Sequence, residues 1–131
     1  MNLSFTRRVF LQAAGLAIAT RACPVFAAAG TRVPLKGVVP AALTPFDADL
    51  QISRPEFRRH IEALAAVRGV TAIMVNGAAG QDAALSRDER RLLVAEAVAA
   101  GDSRTPILAA LRETKDFGLE ELARDAEVEG A

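Results

Sequence analysis

The chain has 131 residues, with sixteen Lys plus Arg balanced by sixteen Asp plus Glu. One domain suits that length, and the charge balance excludes the basic stripe of a nucleic-acid groove or of an anionic membrane surface. A single cysteine, Cys23, excludes an internal disulfide and argues against a cysteine-based metal site.

Residues 1–29 read as a leader and 30–131 as the folded part. Thr6-Arg7-Arg8-Val9-Phe10-Leu11-Gln12 resembles a bacterial twin-arginine export signal. The apolar stretch Leu11 to Ala19 is too short for a bilayer, which needs roughly 20 residues. Val25 with Ala27, or Ala27 with Ala29, satisfies the small-residue rule for cleavage. Arg21 spoils the small, apolar approach that lipidation at Cys23 would need. The expectation is an exported, periplasmic protein with no stable membrane anchor. The bland alternative is an N-terminus that merely happens to hold an arginine pair.

Three strand-helix units follow. The first run predicts a strand over Val38 to Thr44, with Pro40 placing it near an edge or a start. Ser53, Pro55 and Glu56 then predict a capping box and helix start. Phe57, Ile61, Leu64 and Ala65 recur at helical spacing as the buried stripe.

Gly69 reads as a helix stop, and Val70 to Val75 as a second strand whose apolar run suits cover on both faces. A Gly-X-X-Gly loop, Gly77 to Gly80, leads into a second helix capped by Ser86 and Glu89 and running to Gly101. Its apolar face is interrupted mainly by Glu96. The third strand covers Thr105 to Leu111, and the third helix about Phe117 to Glu129, with Leu119, Leu122, Ala123 and Ala126 as its apolar stripe. Alternating strands and helices imply an α/β fold with parallel strands and right-handed crossovers. Three such units leave two open sheet edges and one uncovered concave face. They are expected to be the first part of a longer barrel, the alternative being a compact three-layer domain.

Three segments in order, Gly37 to Asp47, Val75 to Val94 and Glu121 to Ala131, resemble the N-terminal portion of the dihydrodipicolinate synthase and N-acetylneuraminate lyase family. The resemblance implies a partial (β/α)8 TIM barrel, built from its first three βα units, of the class I aldolase type. It implies a lyase whose sixth-strand lysine forms a Schiff base with pyruvate or another 2-oxo acid, with a tyrosine shuttling protons and no added cofactor or metal. The family's Gly-Thr-Thr-Gly-Glu loop holds the oxo-acid carboxylate.

Carried over residue by residue, the resemblance makes Gly77, Ala78, Ala79, Gly80 and Thr44 the substrate-binding candidates. Ala78 and Ala79 replace the family's hydroxyl residues, and Gln81 replaces its glutamate. Their backbone N–H groups can still hold a carboxylate, but no hydroxyl is there to relay a proton. The chain has no tyrosine, and its lysines, Lys36 and Lys115, lie before the first strand and after the third. No catalytic residue is therefore assigned.

Asp47, Asn76, Arg112, Glu113 and Thr114 end the strands and would face a barrel rim, unless they only cap loops. His60 reads as packing or surface. The "RRH" and "RDERR" runs and the acidic residues of the third helix read as solvated faces with charge pairs. Three functions remain: a portion of a Schiff-base lyase, a non-catalytic remnant, or a small exported oxo-acid-binding or interaction protein. The last would self-associate or take a partner through its open sheet edges.

Overall fold

The computed structural model describes residues 35–101 and 104–131. The segment expected to be a leader, with its expected cleavage site and Cys23, lies outside these residues. Five main elements follow one another: α1 (Arg54–Ala65), β1 (Ile73–Val75), α2 (Arg87–Ala100), β2 (Ile107–Ala109) and α3 (Leu119–Glu129). Strands β1 and β2 pair in parallel, with Ile73 opposite Ile107 and Val75 opposite Ala109.

The strand expected over Val38 to Thr44 is reduced to two isolated parallel bridges onto the β1 segment, Val38 with Val70 and Ala41 with Met74. The cause is Pro40. Val38 donates to Gly69 O and accepts from Thr71 N–H; the next contacts are Met74 N–H to Pro40 O and Ala42 N–H to Met74 O. Pro40 has no N–H to continue the ladder. The facing chain takes one extra residue across the gap, because Val38 to Ala41 is matched by Val70 to Met74. That is a bulge, which ends regular pairing and turns the strand. The expected order survives: this segment flanks β1 on one side and β2 flanks it on the other.

Helix α1 packs Phe57 and Ile61 against Ile73 and Val75 of β1, and α2 adds Leu93, Val94 and Ala97. Each of the larger side chains among these, Phe, Ile, Leu or Val, contributes about 1.5–3 kcal/mol by leaving water. Leu64 and Ala65 pack at the margin. The intervening strand residues Met74 and Leu108 remain partly exposed, so the sheet is well covered on its helix side only. Helix α3 buries a narrower stripe than its periodicity predicts. Leu122 is buried, but Leu119 is half exposed and Ala123 exposed.

The caps divide. Ser86 accepts from Glu89 N–H while the Glu89 carboxylate takes the Ser86 N–H, a complete capping box. At α1 the capping box fails. Ser53 is the N-cap and Pro55 sits in the first turn, but the Ser53 side chain makes no capping bond. Its ψ of 87° departs from the extended cap conformation that Ser86 adopts at 166°. Helix α1 also ends at Ala65, short of Gly69, which takes a positive φ in the turn beyond.

The charged faces are not simply solvated. Glu96 of α2 is only 4% exposed and receives both Arg54 and Arg58 of α1. Arg54 Nε approaches it at 2.7 Å. Its carboxyl is held below the ordinary glutamate range, first by the Arg58 hydrogen bond and then by Arg54, against the opposing effect of burial. Between α2 and α3, Arg87 grips Asp125 through Nε at 2.6 Å and Nη2 at 2.9 Å, and Arg91 holds Glu129. These pairs pin the helices to each other; Arg58, Arg87, Arg91, Asp125 and Glu129 belong to faces that read as solvated, and Glu96 to an interruption of an apolar one.

Candidate functional site

Strand β1 delivers the chain to its C-terminal end at Asn76, and the next residues form the loop. Asn76 has φ 57°, in the left-handed region that Asn tolerates better than most side chains. Its Nδ2 donates to Arg90 O of α2 at 3.0 Å, so the side chain ties the strand end to the helix. This is the structural role weighed for Asn76. It also places Gly77 at the start of a single 3-10 turn, Ala78–Gly80.

Gly77 O accepts from Gly80 N–H at 2.9 Å and Ala78 O from Gln81 N–H at 3.1 Å. The N–H groups of Ala78 and Ala79 have no partner among the described residues, and both residues are exposed. Two adjacent unpartnered amides on exposed residues at the opening of a turn are compatible with holding an anion. Gly80 is buried because the loop presses on the first strand segment. A Cβ there would lie 3.1 Å from Ala42 O and from Thr44 Oγ1. Thr44, buried, donates its hydroxyl proton to Gly80 O at 2.8 Å. Its geometry is that of a brace beneath the loop.

The structure therefore brings all five candidates together: Gly77, Ala78, Ala79 and Gly80 form the turn, and Thr44 supports it. A cavity of about 330 Å³ opens beside them, with Thr44, Glu56, His60, Ala79 and Gln81 in its wall. His60 fastens the Thr44 segment, its Nε2 accepting the Leu43 N–H at 3.2 Å. The side chain is a structural fastener at the site's edge.

Asp47 and Thr114 act as loop caps. Asp47 Oδ1 accepts from Asp49 N–H and Gln51 N–H, both at 2.9 Å. Thr114 Oγ1 accepts from Asp116 and Phe117 N–H. Sequence reasoning missed a pair at the rim. Asp82, just beyond the loop and 4% exposed, binds Arg112 Nε at 2.5 Å, and Arg112 is 55% exposed. This contact joins the loop after β1 to the segment after β2. The only signal was Arg112 at a strand end; its partner lies 30 positions away. Arg90 was also misjudged. Placed on a solvated face by its charged neighbours, it is buried, with Nε on Leu85 O and Nη2 on Asp82 O.

Among the described residues no group of three or more His, Cys, Asp or Glu side chains could hold a metal. No helix among them is long and apolar enough to cross a membrane.

Residues 34–113 match the model of the dihydrodipicolinate synthetase family. The chain is 41% identical over 73 residues to the 4-hydroxy-tetrahydrodipicolinate synthase of Salinibacter ruber, covering 56% of this chain and 24% of that protein. It is 32% identical over 96 residues to the enzyme of the same name from Rhizobium meliloti, covering 73% and 32%. Among solved structures, a dihydrodipicolinate synthase family protein from Coccidioides immitis superposes with a TM-score of 0.70 at 31% identity, over 76% of this chain and 33% of that one. The N-acetylneuraminate lyase of Mycoplasma synoviae shares the fold, with a TM-score of 0.66 at 23% identity, over 72% and 32%. The chain thus spans between a quarter and a third of the length of these proteins. With its parallel strands, intervening helices and loop at the strand ends, the chain belongs to the dihydrodipicolinate synthetase family, as a part of that family's TIM barrel.

Proposed function

We propose that this chain is the carboxylate-holding portion of a Schiff-base lyase acting on pyruvate or a related 2-oxo acid. The observation that carries the proposal is the pair of unpartnered Ala78 and Ala79 N–H groups, presented at the end of a parallel strand and braced by Thr44. Two adjacent unpartnered amides can receive the two oxygens of a carboxylate. They do so without side-chain hydroxyls, so the loop binds but relays no proton. The chain contains no tyrosine, and its two lysines, Lys36 and Lys115, flank the strands rather than end them. In this reading these 131 residues hold an oxo acid without forming the imine. The Arg7-Arg8 leader supports export to the periplasm as the place where they act.

Two measurements test this. Pyruvate added to the 15N-labelled chain is expected to shift the Ala78 and Ala79 amides selectively. No response at the loop would overturn the carboxylate site. Pyruvate with borohydride, followed by intact mass, is expected to leave the chain unmodified. A reduced adduct on Lys36 or Lys115 would overturn the claim that no imine forms. A fusion of the leader to a reporter, followed to the periplasm and lost on Arg7→Lys/Arg8→Lys, tests the export.

A further inference from the structure

Two buried side-chain atoms behind the loop have no hydrogen-bond partner among the described residues: Asn76 Oδ1 and Arg90 Nη1. Their residues are 5% and 3% exposed. Both residues line one small cavity of about 20 Å³ beside Ala109 of β2 and Leu122 of α3; Arg87, Arg91 and Asp125 share its wall, with Arg87 already paired to Asp125 and Arg91 to Glu129. The remaining polar reach of both side chains is already used. Asn76 Nδ2 donates to Arg90 O. Arg90 Nε and Nη2 donate to Leu85 O and Asp82 O, and its guanidinium lies 5.2 Å from the Phe117 ring centre. Among the described residues no carboxylate forms an ion pair with Arg90. A buried donor or acceptor left unmade costs about 1–3 kcal/mol, and more for a charged group. Two such atoms, on two residues that line one cavity, are hard to sustain without an occupant.

We propose that this cavity is a binding site for one ordered water, which donates to Asn76 Oδ1 and accepts from Arg90 Nη1. The size fits, since a water needs roughly 10–15 Å³ of such space. The chemistry decides between small occupants. One open group is an acceptor and the other a cationic donor, so the occupant has to donate and accept together. A halide or a carboxylate would satisfy Arg90 but would set a negative charge against the Asn76 carbonyl oxygen. Water does both. Asn76 holds the strained left-handed turn one residue before Gly77, so a water on its Oδ1 fixes both ends of the side-chain amide. The water thereby helps set where the loop begins. The site stands whether or not the loop binds an oxo acid.

The test uses the full chain. A crystal structure at high resolution is expected to show one density peak within hydrogen-bond distance of both Asn76 Oδ1 and Arg90 Nη1. Soaking with bromide is expected to give no anomalous peak there. In solution, water-to-protein NOEs at the Asn76 side-chain amide are expected to carry the sign of a long-lived internal water. An empty cavity, a bromide peak, a direct bond between the two atoms, or NOEs typical of surface water would each overturn the proposal.

Discussion

Glu96 gives the sharpest prediction, because its environment is lopsided. The carboxylate is 4% exposed, while its partners Arg54 and Arg58 are 57% and 50% exposed. Removing the arginines strands a buried charge, whereas removing the carboxylate frees two cations that already reach water. For Glu96, stranding is expected to cost about 3 kcal/mol, the lower end for an uncompensated buried charge. Glu96→Leu is expected to lie near neutral, since an apolar side chain of similar volume fills the buried position and the two arginines left behind already reach water. For a domain of this size about 1 kcal/mol moves Tm by roughly 4–8 °C. Arg54→Ala/Arg58→Ala should therefore melt at least 12 °C lower by far-UV circular dichroism at pH 7, and Glu96→Leu within about 5 °C of the parent.

The pH dependence supplies a sign that mere loss of packing would not. In the parent the Glu96 pKa is depressed. Its contribution is therefore present above the ordinary glutamate pKa of about 4.3 and is lost as pH falls through the lower folded value. In Arg54→Ala/Arg58→Ala the lowering causes are gone and burial alone raises that pKa. The stability deficit should then shrink as pH falls from 7 to 5, because the stranded carboxylate takes up a proton. Equal destabilisation by Glu96→Leu, or a deficit that widens on acidification, would refute the reasoning.

Ser86→Ala should cost about 1 kcal/mol by opening a complete capping box, while Ser53→Ala should change stability by less than about 0.5 kcal/mol because no side-chain cap exists there; paired melts compare them. Thr44→Val removes the 2.8 Å bond to Gly80 O and should cost about 1–2 kcal/mol, with faster amide hydrogen exchange across Gly77 to Asp82. Arg112→Ala strands the buried Asp82 carboxylate and should destabilise by more than 1 kcal/mol. Arg124→Ala, which loses only the exposed pair with Glu120, should stay under about 0.5 kcal/mol; urea midpoints distinguish the two.

Local rules reached far where a signal and its partner lie within one turn of each other. Ser86 and Glu89 are three apart and both face the helix start, so the cap was legible. Phe57 and Ile61 are four apart, so the stripe that meets β1 was legible too. The Gly-Ala-Ala-Gly turn was readable because glycines bracket it and a strand and a helix adjoin it. Rules of the same range failed at Ser53, where the residue type was right but the backbone angle was not. That angle is set by the preceding loop, where Ser53 N–H bonds Pro45 O.

By itself the sequence determined the order of strands and helices, the parallel pairing that order requires, and the loop at the end of β1. These follow from apolar periodicity and from residues a few positions apart, whose meeting the covalent chain guarantees. Only the tertiary structure decided the fate of the charges. Arg90 is buried and Glu96 is gripped from a second helix. Asp82 finds Arg112 and His60 finds Leu43 across loops. A charged side chain on an amphipathic helix carries no local mark of whether an opposite charge awaits it. For Asp82 and Glu96 burial depends on a partner that folding brings from 30 and 42 positions away, and that meeting is a property of the packed layers.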